Sequence, residues 1–126
     1  MKYIEKKDGK LTLQLESLET QMIAGSLLNS GGAVLGGRSK ATLDEINEIE
    51  KYIRGTPIRE ALNEKKSIVS LTGRQLLLIR DVIAESLREV ASFEFAMRHP
   101  GDEQDAANTL FEIKRIQDET KDYGNI

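Results

Sequence analysis

The chain has 126 residues, of which 39% are hydrophobic and 31% charged, with a formal net charge of −3, one histidine and no cysteine. This composition excludes disulfides and thiolate metal sites, argues against disorder, and lacks the basic excess of a dedicated nucleic-acid binder. No apolar run approaches the roughly 20 residues of a membrane span. The start, MKYIEKKDGK, is charged and has no apolar core of a signal peptide. The sequence therefore reads as cytoplasmic, with no membrane association. Its length fits a single domain over 1–126, with a small α+β part over 1–71 and a long helical hairpin over 72–122.

The chain opens as a β-hairpin. KYIE and LTLQL flank KKDGK, where Asp8-Gly9 can supply the positive φ angles of a tight turn. Leu11, Leu13 and Leu15 alternate with Thr12 and Gln14, which directs one face to a core. A helical stripe through Leu11, Leu15, Leu18 and Met22 competes with this pattern. We take strand to about Glu16, then a helix with Ser17 as N-cap. That helix presents Leu18, Met22 and either Gly25 or Ser26 on one face, with Ile23 and Leu27 beside them, and NSGG ends it.

A second helix, TLDEINEIEKYIRG, follows. Thr42 and Glu45 make a T-x-x-E capping box, Leu43, Ile46, Ile49 and Ile53 form the apolar stripe, and Gly55 ends the run. Thr56-Pro57 then predicts a short helix with Ile58, Ala61 and Leu62 inward, since proline is tolerated at a first helical position. SIVSL, 67–71, reads as a third strand.

Thr72 to Gln75 forms a T-x-x-Q capping box that opens the longest helix, running to about Arg98. At ~1.5 Å per residue it would reach roughly 40 Å. Its stripe of Leu76, Ile79, Ile83, Leu87 and Val90, widened by Leu78 and Val82, is broader than one shorter helix covers, so a homo-oligomer is expected. Pro100-Gly101 breaks the helix. DEQD opens the last one, with Ala106, Leu110 and Ile113 packing back and Phe111 alongside. The fold class is thus mainly α with a small antiparallel β-sheet (α+β): an N-terminal β-hairpin, central helices and a C-terminal antiparallel helical hairpin. LQLESLETQMI and VSLTGRQLLLI share a plan of strand, polar cap and apolar helix, with too little identity to be called a repeat.

Chemistry concentrates in GGAVLGGRSK, where Gly32 to Ser39 spell G-x-x-x-x-G-R-S. A phosphate-cradling loop needs glycines that let backbone N–H groups converge, a lysine for charge and Ser/Thr for magnesium. Here Arg38 stands in the lysine position, a helix and not a strand precedes the loop, and the chain is short for the parallel sheet of a hydrolysing NTPase. Hydrolysis is set aside. Binding without hydrolysis stays open: Gly31, Gly32, Gly36, Gly37, Arg38, Ser39 and Lys40, followed by a helix N-terminus, suit a nucleotide-like anionic ligand. Residues 30–40 hold two bases and no acid, whereas the tail from Gly101 holds seven acids and three bases. The plainer reading is a connector or a loop that touches a protein partner, because glycine clusters usually mark linkers and turns. An apolar tip of Ala33, Val34 and Leu35 would want a covering surface in either case.

No catalytic set stands out. His99 is alone, beside Pro100 and near Asp102 and Glu103, and reads as a helix-end residue. Asp44 with Glu48, and Asp118 with Asp122, fall on solvent faces. Arg74, Arg80 and Arg88 are interleaved with Asp81, Glu85 and Glu89, which suits salt bridges better than a phosphate-tracking stripe, so DNA is the least supported partner. The sequence points to a non-catalytic binding or regulatory protein with no cofactor, and alternatively to a protein-interaction or inhibitory module with no small ligand.

Overall fold

The computed structural model describes residues 1–29, 40–56, 59–61, 64–89 and 103–124. The hairpin is present: β1 (Lys2–Lys7) and β2 (Lys10–Glu16) are antiparallel, and the turn residues Asp8 and Gly9 have φ of 53° and 76°. Gly9 is needed there because the left-handed region is open to it without a Cβ penalty. β1 bulges between Tyr3 and Glu5, and its bulge and lysines guard an edge that would otherwise template another strand.

Two further strands complete a four-stranded antiparallel sheet in the order β1-β2-β4-β3. β4 (Glu64–Thr72) is longer than the expected 67–71, and Leu13 faces Val69 across the β2–β4 ladder. β3 (Arg59–Ala61) corrects the short helix expected after Thr56: Ala61 belongs to a strand whose Arg59 pairs with Lys66. Proline fixes φ at a value common to helix starts and extended chain alike, so Pro57 could not decide between them. Pro57, Ile58 and Leu62 themselves lie outside the described residues.

Four helices are described: α1 (Ser17–Asn29), α2 (Lys40–Gly55), α3 (Gly73–Glu89) and α4 (Glu103–Thr120). They cover one face of the sheet. Leu11, Leu13, Leu15, Val69 and Leu71 point into a core shared with Met22, Ile23 and Leu27 of α1, and Ile46, Ile49 and Ile53 of α2. Leu76, Leu78, Ile79, Val82 and Ile83 of α3 and Ala106, Ile113 and Ile116 of α4 fill the rest. Arg80 meets Gln117, and Leu87 and Leu110 line one groove, so α3 and α4 run antiparallel as expected. Leu76, Leu78, Ile79, Val82 and Ile83 of the broad α3 stripe are buried within their own chain, and Leu87 is only partly buried. His99, Val90, and the expected continuation of α3 to Arg98 lie outside the described residues.

Helix starts separate local signals that held from ones that did not. At Thr72 the capping box forms reciprocally: Gln75 N donates to Thr72 Oγ1 at 3.1 Å, and Thr72 N donates to Gln75 Oε1 at 2.9 Å. Thr72→Ala is expected to lower stability by about 1 kcal/mol, read as a shift in urea midpoint. At α1 the cap is Glu16, not Ser17, because Glu16 N donates to Glu19 Oε1 at 3.0 Å while Ser17 is already helical. Leu18 accordingly swings out to 42% exposure. The two segments that share a plan thus enter their helices through the same backbone-to-side-chain bond three residues on. At α2 the side chain of Thr42, the expected cap, lies outside the described residues. The helix already begins at Lys40, and Glu45 is engaged by Arg74.

Candidate functional site

Of the residues expected to hold an anion, Gly31, Gly32, Gly36, Gly37, Arg38 and Ser39 lie outside the described residues, as do Ala33, Val34 and Leu35. Lys40 is placed as the first residue of α2. What the structure describes is the frame on either side. α1 runs to Asn29 with Leu27 buried and Leu28 exposed, and α2 starts at Lys40 with no acid in its first turn. The positive end of the α2 dipole is therefore not offset by its own carboxylates.

The nearest acid with a resolved role on α2 is Glu45, and it is neutralised from outside. Arg74 donates from Nε to Glu45 Oε2 at 2.6 Å and from Nη2 to Oε1 at 2.9 Å, a two-pronged pair that joins α2 to the start of α3. These bonds raise the Arg74 pKa, against a smaller opposing effect of desolvation. Arg74 does not follow the local interleaving the sequence suggested, since its partner sits on another helix, whereas Arg80 both meets its neighbour Asp81 at 3.6 Å and gives Nη1 to Gln117 Oε1 at 2.9 Å.

Farther along α2, Tyr52 accepts the Ser70 backbone N–H at 2.9 Å. β3 pairs with Glu64 to Lys66, so this phenol occupies β4 beyond the short neighbouring strand. Asp44 and Glu48 are exposed as expected.

Asp122 is not an idle surface acid. Its carboxylate accepts Lys6 Nζ at 3.1 Å and Gly124 N at 3.2 Å, and it lies against Gly73 at the start of α3. Lys6 pairs with Leu11 in the sheet register and so stands on the helix-covered side, where Asp122 can reach it. The following Tyr123 donates to Asp118 Oδ1 at 2.8 Å, and that hydrogen bond raises the phenol's pKa above its ordinary 10.0. Sequence reading missed this clasp because its partners lie 116 residues apart.

Two cavities flank α4. One of about 320 Å³ lies between the start of α1 and α4 and includes Glu16, Glu19, Asp105 and Glu112. Its carboxylates have structural duties: Glu19 holds the Met1 amine at 2.6 Å, and Glu112 accepts two bonds from Arg115, raising the pKa of that guanidinium. The acid-rich lining repels anions, and among the described residues no cluster of three or more His, Asp or Glu is arranged to hold a metal. The second cavity, of about 620 Å³, is the open groove between α3 and α4. Among the described residues no helix is long and apolar enough to cross a membrane. Comparison with protein-family models, with characterised proteins and with solved structures finds no match to this chain.

Proposed function

We propose that the protein is a non-catalytic binding module that captures a phosphate-bearing small ligand, such as a nucleotide, on the segment from Gly31 to Lys40. The observation that carries this reading is the start of α2. A helix N-terminus free of first-turn acids follows directly on G-x-x-x-x-G-R-S, and the first turn of a helix, whose N–H groups lack intrahelical partners, favours an anion. Gly31, Gly32, Gly36 and Gly37 would let backbone amides approach the phosphate, and Arg38, Ser39 and Lys40 would supply charge and a hydroxyl. A cytoplasmic location and a homo-oligomeric state belong to the same proposal.

Calorimetry against mono-, di- and cyclic nucleotides tests it. A hit should weaken about ten- to a hundred-fold in Arg38→Ala, which removes a charge-assisted contact of about 1.5–3 kcal/mol. No binding across the panel, or a hit indifferent to Arg38, would turn the reading to a protein-interaction or inhibitory module. One observation favours that second reading: Phe111 on α4 is 67% exposed, although the sequence pattern set it beside the packed face.

A further inference from the structure

Helices α3 and α4 leave between them the open groove of about 620 Å³. Ala84, Leu87 and Leu110 supply its apolar lining, and Arg80, Asp81 and Lys114 its charged lining. Leu87 and Leu110 are only partly buried, packing on the core from outside. Ala84 is small, so the lining is hollow where a larger side chain would fill it. Phe111 follows Leu110 and stands three residues before Lys114, which makes it that lysine's neighbour on the helix surface. One face therefore carries both an apolar hollow and an exposed aromatic ring beside it.

We infer that the α3–α4 face is a two-fold interface with a second copy of this chain, the Phe111 of each copy entering the groove of the other. This rests on the proposed self-association and gives it a surface. An isologous contact must be self-complementary, and this face is so in shape and in charge. Lys114 has no ion pair or hydrogen bond within the described structure, while Asp81 lies on the opposite helix of the same groove, 3.6 Å from Arg80. A carboxylate has about four acceptor sites, so Asp81 can take a lysine besides its existing contacts. Two-fold pairing brings the Lys114 of each copy to the Asp81 of the other. A partner of one charge sign would instead leave Asp81, or Arg80 and Lys114, facing its like. Aromatic residues are also the side chains most enriched at the centre of such contacts.

Sedimentation equilibrium of the full chain at micromolar concentration should return twice the chain mass of 14.1 kDa. Phe111→Asp should weaken association by about 100-fold while leaving the thermal unfolding of the monomer in place, since the ring is exposed. Asp81→Lys and Lys114→Asp should each dissociate the dimer, and an equimolar mixture of the two should restore it, because both cross-contacts in the mixed dimer again join opposite charges. A monomer throughout the range overturns the interface and self-association together. A dimer indifferent to Phe111→Asp and to both charge reversals overturns the interface alone. Dissociation by the single charge reversals without recovery on mixing overturns the two-fold pairing.

Discussion

Leu13→Ala is expected to lower the unfolding free energy by about 2–5 kcal/mol, measured by urea denaturation. Leu13 is fully buried at the middle of β2, opposite Tyr3 on one side and Val69 on the other. Both flanking ladders hold the backbone of β2 in place, and Leu11 and Leu15 occupy the same face. The strand cannot sink into the space left by the lost side chain, so the cavity term adds to the lost transfer energy. Leu18→Ala, at a side chain 42% exposed, should cost less than about 1 kcal/mol. The pair of variants separates the two readings of this stretch. A helical stripe through Leu11, Leu15, Leu18 and Met22 demands a large loss at Leu18 and a small one at Leu13; the strand demands the reverse.

What the sequence could specify was what neighbours in the chain decide. The alternation at Leu11, Leu13 and Leu15, the turn at Asp8-Gly9 and the reciprocal cap at Thr72 and Gln75 each depend on residues a few positions apart, and each is found. The Thr42–Glu45 box has equally good local chemistry, but the helix already begins at Lys40 and the glutamate meets Arg74 from another helix. β3 was missed for a related reason. A three-residue strand has almost no pattern of its own and is defined by its pairing with Glu64 to Lys66. The exposure of Phe111 was equally illegible, because Ala106, Ile113 and Ile116 already fill the inward face of α4. The glycine stretch is the reverse case: its residues stand out in the sequence, and the fold contributes only the helix that begins after it.

Gly124→Ala is expected to cost about 2–3 kcal/mol and to free the end of the described chain from α3. After α4 ends at Thr120, Lys121 turns left-handed at φ 57°, and Gly124 does so again at φ 62°. That second turn lays Gly124 on the backbone of Gly73 and Arg74: a Cβ there would meet the Gly73 carbonyl and stand 2.9 Å from Arg74 N. An alanine therefore suffers twice, from its own φ and from a collision with main chain that no rotamer change relieves. The tail can escape by undocking, which caps the loss at whatever the docked contacts contribute. Undocking has a visible signature. Asp122 would leave Lys6 and the α3 N-terminus, so amide exchange should speed up at residues 122–124 and in the first turn of α3 while β2 and β4 stay protected. Gly73→Ala should give the same pattern more weakly, because its Cβ meets the Asp122 carboxylate, a side chain that can rotate aside. Asp122→Asn should cost least, since exposed ion pairs contribute about 0–1 kcal/mol, and its effect should shrink further in high salt. Unchanged exchange in Gly124→Ala would mean that the tail does not rest on α3 at all, and that Lys6 and Asp122 meet only transiently.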